Sequence, residues 1–330
     1  MKEPLVSVII LNYNGRPHLK DCFNSLYNLD FDLDKVELIL VDNNSQDDSL
    51  EFMENNYKDV KLIKLKKNYG FASGNNIGAR KSNGKYIILL NNDTTVDKNW
   101  LSELVKVADS SKEIGIVASK IYYFNEKNII DFAGSYGDRC LRTNHAGRNK
   151  PDSKAHSIQR NILYPCGASM LIKKELYSKI GLFDPAYFIY CEDLDVGIRS
   201  WICGYKVVIA PQSKIWHKIN RKVINPDSLK KSFLLERNKI RTIIKNYEFQ
   251  SVLYLLPAYI IKKLFEIAYR KTRLKNIVFY LYSIFRSIIW NIKNIRSLIK
   301  YRSFIQRSRI INDKLFFKIL DTIRKRNFLY

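Results

Sequence analysis

The segment Lys85–Asp97, KYIILLNNDTTVD, constrains this chain more than any other. Tyr86 to Leu90 is an unbroken run of β-forming apolar residues, the pattern of a strand buried on both faces. It stops abruptly at Asn91-Asn92-Asp93-Thr94. Open α/β sheets hold their ligands at the carboxyl ends of strands. Asn91 and Asp93 are two apart, so on an extended backbone they point to one side. An amide oxygen beside a carboxylate suits a hard divalent cation that also holds substrate phosphates. The plainer alternative is a polar turn, since Asn and Asp dominate turns. The rest of the chain decides between them.

The same run-and-stop pattern recurs. Leu5–Leu11 ends at Asn12-Tyr13-Asn14-Gly15, and Val36–Val41 ends at Asp42-Asn43-Asn44-Ser45. Val60–Leu65 leads into KKNYGFASGNNIGARKSNG. Between these runs, Leu19, Cys22, Phe23 and Leu26 recur at helical spacing after Pro17, as do Leu50, Met53 and Tyr57 after a cap at Ser45 or Asp47. Strands alternating with helices predict βαβ units and a Rossmann-like, mostly parallel sheet. Such a sheet displays Asn12, Asp42, Asn68 and Asp93 along one edge, an arrangement suited to a nucleotide. The chain lacks G-x-x-x-x-G-K-[ST], which argues against a P-loop ATPase, and lacks G-x-G-x-x-G after the first strand, which argues against a dinucleotide dehydrogenase. Gly70, Gly74 and Gly78 are better explained by close helix–sheet packing than by phosphate binding.

Residues 99–109 read as a helix and Ile114–Ser119 as a strand. Residues 120–160 read as a hairpin and an exposed loop, in which His145 and His156 receive no role. Cys166–Ile172 reads as a strand whose Gly167-Ala168-Ser169 would let a substrate approach the backbone. An aromatic loop with Phe183, Tyr187, Phe188 and Tyr190 follows. Glu192-Asp193 then opens a helix in which Leu194, Ile198, Trp201 and Ile202 share a face. Acidic residues at a helix start also favour the dipole, which by itself accounts for Glu192, Asp193 and Asp195. Val207–Ala210 reads as the last strand, and His217 beyond it has the ordinary reading of a structural histidine.

Charge divides the chain. The net charge is +24. From His217 onward there are 27 Lys and Arg against 6 Asp and Glu, a net of +21. The front is therefore a near-neutral globular domain, and the back implies an anionic partner, nucleic acid or membrane. Residues 228–330 read as helices with aromatic and aliphatic residues on one side and Lys or Arg on the other. Lys262, Lys263 and Arg286 interrupt the apolar stretches, so a spanning helix is not supported. Basic amphipathic helices with Trp and Tyr match interfacial helices on an anionic leaflet; packing on the domain is the alternative. A nucleic-acid binder would instead interleave aromatics with basic residues on one face. The five cysteines form no C-x-x-C pair and read as reduced, mostly buried thiols of a cytosolic protein. The N-terminus reads as a first strand and not as a signal peptide.

Four pieces stand together: VSVIILNYNG at 6–15, VDNNSQD at 41–47, LKKNYGFASGNNIGAR at 65–80 leading into LLNNDT, and FIYCEDLDVGIR at 188–199 followed by His217. In this order they resemble glycosyltransferase family 2, in its rhamnosyltransferase-like branch, over about residues 5–220. The resemblance implies an α/β GT-A fold, with residues 1–220 as the nucleotide-sugar-binding catalytic domain and 221–330 as a basic helical tail. It implies that Asp42 holds the base or ribose, with Asn12, Asn14, Asn44, Asn68, Gly70, Asn75 and Asn92 around the donor. Asn91-Asn92-Asp93 occupies the place of the D-x-D metal motif. Asp93 is then the principal ligand for Mg2+ or Mn2+, with Asn91 and His217 as further ligands. Asp193 is the implied catalytic base beside Glu192, and Gly167, Ala168 and Trp201 lie on the acceptor side. The implied reaction is metal-dependent, inverting transfer of a sugar, rhamnose among the candidates, from a nucleotide-diphosphate sugar. The acceptor would be a hydroxyl of a glycan or lipid-linked molecule in polysaccharide biosynthesis. The expected location is peripheral, at the cytoplasmic face of the cell membrane, with an anionic membrane surface and no nucleic acid as partner. The rivals are a sugar nucleotidyltransferase of similar fold, which would want a basic Gly-rich loop after the first strand, and a non-enzymatic nucleic-acid-binding protein.

Overall fold

The computed structural model describes residues 4–219, 229–268 and 274–328. Its first half follows the apolar runs. Strands β1 (Val6–Asn12), β2 (Val36–Asp42), β3 (Lys61–Lys64) and β4 (Tyr86–Asn91) alternate with helices α1 (Arg16–Tyr27), α2 (Ser49–Asn56) and α3 (Gly70–Arg80). β1 pairs in parallel with both β2 and β4, and β2 with β3. The carboxyl ends of three strands therefore lie side by side. The α2 cap differs from expectation: Asp48 is the N-cap residue. Ser45 is instead recruited by Asp42, while Asp47 accepts from the backbone N–H groups of Ser49 and Arg16 and so ties the starts of α2 and α1 together. Gly74 and Gly78 have the packing role, because a Cβ at either would run into Leu11 or Ile9 of β1. Gly70 differs from them, with φ +81 in the left-handed region and Phe188 against it.

The second half departs from a simple parallel sheet. It comprises β5 (Thr94–Val96), α4 (Trp100–Asp109), β6 (Ile114–Tyr123), β7 (Glu126–Phe132), β8 (Ser135–Gly137), β9 (Thr143–His145) and β10 (Arg160–Asn161). It continues through β11 (Ser169–Lys173), α5 (Lys174–Ile180), α6 (Glu192–Ile202) and β12 (Lys206–His217). Among the described residues the main sheet has ten strands, with the path β10-β12-β6-β11-β4-β1-β2-β3 and with β5 and β7 on its margins. β11 runs antiparallel between β4 and β6. That insertion pairs Ser169 with Leu90 and sets Gly167-Ala168 beside the end of β4, where Asn91 N–H donates to Ala168 C=O at 3.0 Å. β12 is longer than the Val207–Ala210 strand the apolar pattern suggests. A register shift between Ala210 and Lys214 lets it continue until His217 pairs with Thr94. The five thiols are free, and two of them, Cys22 and Cys203, are fully buried.

Helices α7 (Leu229–Asn246), α8 (Phe249–Ala268), α9 (Leu274–Lys293), α10 (Ile295–Ser308) and α11 (Asp313–Phe328) follow. They are not a free appendage. Ile240, Ile243 and Tyr247 of the α7 region, Ile305 of α10, and Phe316 and Leu320 of α11 belong to the same apolar core as the sheet. A buried ionic network joins α7 to α6. Asp184 accepts from Arg241 Nε at 2.8 Å and Lys245 Nζ at 3.1 Å. Asp195 accepts from Arg199 Nε at 2.9 Å, Lys245 Nζ and Asn246 Nδ2. Burial alone would raise both carboxyls, but Lys245 with Arg241 at Asp184, and Lys245 with Arg199 at Asp195, hold them below the ordinary carboxylate range.

Removing one partner of a buried charge cluster leaves an uncompensated charge, at a cost of about 3–5 kcal/mol. Lys245→Met should lose stability of that order in urea unfolding. Lys64→Ala, which breaks an exposed pair with Glu54, should lose under about 1 kcal/mol. Because both carboxyls are depressed, the wild-type contribution should be intact at neutral pH and begin to fall only below about pH 4. A chain ending at His217 should fail to give a cooperative transition, since the tail helices complete the core.

Candidate active site

Three strand ends and two loops build the site. Asn12, at the end of β1, is buried and donates through Nδ2 to Asp42 Oδ1 at 3.1 Å and Ser45 Oγ at 3.0 Å. Its Oδ1 accepts from Asn92 Nδ2 at 2.7 Å. Asp42, at the end of β2, also accepts from Ser45 N–H at 2.9 Å. Asn12 thus links the β2 and β4 turns, with its donors and acceptor committed to protein. Asn14 and Asn44 have φ of +51 and +67, the left-handed region that Asn tolerates. Asn14 Oδ1 is spent on Gln46 N–H at 2.7 Å. Asn43, which sequence reasoning missed, holds the next turn by donating to Asn68 Oδ1 at 3.0 Å and accepting from Tyr69 N–H at 2.9 Å. Asn68 in turn accepts from Gly70 N–H at 2.8 Å, fixing the start of α3. Asn75 is buried in α3, where Nδ2 donates to Phe71 C=O.

Asn91 closes β4, but Asn92 and Asp93 form a turn, so the extended-backbone argument that placed Asn91 and Asp93 on one side does not apply. Asp93 instead meets His217, because β5 pairs with the end of β12. His217 Nε2 lies 3.1 Å from Asp93 Oδ1, and Nδ1 lies 3.7 Å from Asp131 Oδ2. Burial opposes the ring's charge, but Asp131 and Asp93 on either side outweigh it and raise the imidazole to about 9. Neither Asp93 Oδ1 nor His217 Nδ1 makes an aligned hydrogen bond, although both are buried. Asp93 Oδ1 and His217 Nε2, 3.1 Å apart, are the donor pair that suits a divalent cation, with Nδ1 turned away to Asp131. Among the described residues no set of three or more His, Cys, Asp or Glu forms a protein-only cage. A cation held by this pair would need its remaining ligands from phosphate or water. Asp131, itself 3.4 Å from Arg148 Nε, orients the histidine from behind, an arrangement common at metal-ligating imidazoles. It lies in β7, within a segment whose sequence carries no local sign of the role.

Across from this pair, Glu192 and Asp193 open α6 beside Gly167. Asp193 accepts from Leu194 N–H at 2.7 Å and from the backbone N–H of Gly167. Burial raises its carboxyl, these N–H groups restrain the rise, and the result is about 6. Glu192 is pushed well above the ordinary range by burial and then by the charge of Asp193, and its Oε2 makes no hydrogen bond. One acid near neutrality beside one held neutral is the split that acid–base chemistry uses. A Cβ at Gly167 would crowd the Phe71 ring at 3.2 Å and reach Glu192 Oε1 at 4.0 Å. Ala168 is buried beneath the same turn. Trp201 is not at the site. It lies two turns further along α6, buried, with Nε1 donating to Ile162 C=O at 3.0 Å, so its expected place on the acceptor side is corrected to a core role.

The loop before α6 connects the two halves of the site. Phe188, Tyr190 and Cys191 all have positive φ, of 64, 73 and 64. Phe188 C=O accepts from Ala72 N–H of α3 at 3.1 Å. From the other side, Asn238 Nδ2 of α7 donates to the carbonyls of Tyr187, Ile189 and Tyr190, at 3.2, 3.0 and 2.7 Å. Arg237 joins it at Ala186 and Tyr187. A backbone this strained persists only when its surroundings over-determine it, and α7 does so.

Known proteins are similar to this chain in sequence and in fold. The O-antigen biosynthesis protein RfbC of Myxococcus xanthus is 26% identical over 223 residues, covering 65% of this chain and 17% of that protein. The low-salt glycan biosynthesis hexosyltransferase Agl10 of Haloferax volcanii is 23% identical over 199 residues, covering 59% of this chain and 61% of that protein. The chain thus spans less than two thirds of the length of either relative. In structure it resembles GalNAc-T7, solved with UDP, GalNAc and Mn2+, at a TM-score of 0.63 and 18% identity over 90% of this chain and 58% of that one. It also resembles the mannosyltransferase PcManGT from Pyrobaculum calidifontis, solved with GDP-Man and Mn2+, at 0.54 and 15% over 93% and 86%. These likenesses show the GT-A fold. Residues 7–181 match the family model of glycosyl transferase family 2, more than half of the chain, and the chain belongs to that family.

Proposed function

We propose that this protein transfers a sugar from a nucleotide-diphosphate sugar to a hydroxyl of a glycan or lipid-linked acceptor, with inversion. The observation that carries this reading is the pair of opposed charge centres, Asp93–His217 and Glu192–Asp193, flanking the turn at Gly167. Asp42 holds the base or ribose of the donor. Asp93 and His217, with Asn91 at the end of β4, hold Mg2+ or Mn2+. When bound, that cation would neutralise the diphosphate and so improve it as a leaving group. Asp193 removes the acceptor O–H proton as that oxygen bonds to the anomeric carbon. The bond from that carbon to the phosphate oxygen breaks, and the nucleoside diphosphate leaves with the electron pair. One base suffices for a single displacement, and no second carboxylate is needed as nucleophile. Glu192, held neutral, keeps charge repulsion off Asp193. Hexosyl transfer, with rhamnose a candidate, draws support from the motif order at 6–199 and from the glycan-biosynthesis relatives.

A thermal-shift screen of nucleotide sugars with Mg2+ or Mn2+ should identify the donor. Asp193→Asn keeps shape and removes basicity, so turnover should fall by about 10² to 10⁴ while calorimetric donor binding survives. Joint loss of binding and turnover would make Asp193 a donor ligand instead. In wild type the base must be ionised, so kcat/KM should fall as pH drops through about 6. Asp93→Ala should abolish transfer and leave the unfolding midpoint near wild type. Full activity in excess EDTA would contradict the metal role.

A further inference from the structure

Helix α9 is built inside out. On α9 the face packed against α7 carries Ser283, Ser287 and Asn291, and the two serines are 0% exposed. Ser287 Oγ donates to Phe233 C=O, and Asn291 Nδ2 donates to Arg237 C=O at 3.0 Å. The outward face of the same helix carries Val278, Leu281, Phe285 and Ile292, of which the last two are 61% and 63% exposed. These positions recur at three-, four- and seven-residue spacing, so they form one stripe. The neighbouring α8 is apolar on both sides, with Leu253, Tyr254, Ile261 and Leu264 exposed while Leu255 and Tyr259 face inward. A water-facing helix shows the reverse order, and exposed apolar surface on this scale marks an interaction site.

We infer that the outer face of α8 and α9 docks the enzyme onto an anionic lipid bilayer, lying in the interface without crossing it. Charge selects this occupant. Between Phe249 and Asn312 the only carboxylate is Glu266. Arg286, Lys293, Arg296 and Lys300 are exposed on α9 and the adjoining α10. An apolar stripe flanked by basic residues and nearly free of acids is the composition of interfacial helices. Among the described residues no helix is long and apolar enough to cross a membrane. Because α9 also packs on α7, which grips the loop before Asp193, docking would hold that loop at a fixed height above the lipid surface. This inference stands on the exposed apolar faces of α8 and α9 and not on the transferase reading.

Flotation with phosphatidylcholine vesicles, with and without phosphatidylglycerol, tests it on the full chain. Wild type should float with the anionic vesicles, more weakly as NaCl rises from about 0.1 M to about 0.5 M, but with a residue of binding that salt does not remove. Phe285→Glu with Ile292→Glu, or Leu253→Glu with Ile261→Glu, should each cut partitioning at least about tenfold. These side chains already face water, so unfolding midpoints and donor binding should not move. Wild type that ignores anionic vesicles overturns the proposal, as do variants that float like wild type. A dimer that the same substitutions split, without vesicle binding, would assign the face to a second copy of the chain. Tight nucleic-acid binding in place of vesicle binding would assign it to that partner. Donor binding measured on the same samples separates the two readings: intact donor binding without flotation sinks only the docking face, and flotation without donor binding sinks only the transferase.

Discussion

The structure depends on the buried charges that fasten α7 to α6. Asp184 and Asp195 lie under the loop that leads to Asp193, and Arg199, Arg241 and Lys245 neutralise them out of reach of water. Buried ion pairs contribute little net stability over an apolar core, but they penalise every wrong register. Here the correct register matters. Arg199 also donates to the carbonyls of Ile180, Gly181 and Leu182, so one guanidinium fixes both the helix that carries Asp193 and the turn that precedes it. A slip of α7 by one residue would take Arg241 and Lys245 away from Asp184 and leave Asp195 with Arg199 alone. It would also withdraw Asn238 from the loop it clamps.

That clamp connects the tail to the chemistry. The loop at 184–191 touches α3 through Phe188 and Gly70 on the donor side, and α7 through Asn238 on the other. Asp193 is the first residue past this loop with a carboxyl poised near neutrality. Its environment follows from two local facts, burial and a pair of backbone N–H donors. On the opposite side of the Gly167 turn the sheet supplies Asp93 and His217 with Asp131 behind them. The two charge centres arise from different halves of the chain, and β11, running antiparallel between β4 and β6, brings them together.

Much of this is legible in the sequence where the signal is local. β1, β2 and β4 announce themselves as apolar runs ending in Asn or Asp, and Asp42, Asp93 and Asp193 follow from those endings and from the motif order. What the sequence hides is register over long separations. Nothing near Asp131 or Asn43 marks them, because their roles depend on strands and turns brought together from elsewhere. Val207–Ala210 looks like a short strand, whereas a bulge lets β12 run on to His217. Trp201 has the right spacing for α6 but the wrong height along it. The tail's charge was the most misleading feature. Arg241 and Lys245 count toward the net +21, yet they are spent on Asp184 and Asp195 inside the core. Other basic residues, among them Arg286, Lys293, Arg296 and Lys300, remain exposed.

The central claim is a single displacement driven by one base at Asp193. The anomeric configuration of the first-formed product tests it most directly. Proton NMR of the early reaction, with the donor found by screening, reads that configuration before any mutarotation. An α-linked donor should give a β-linked product, or the reverse for a β-linked donor. Retention of configuration would require a second displacement or a different nucleophile and would contradict the account.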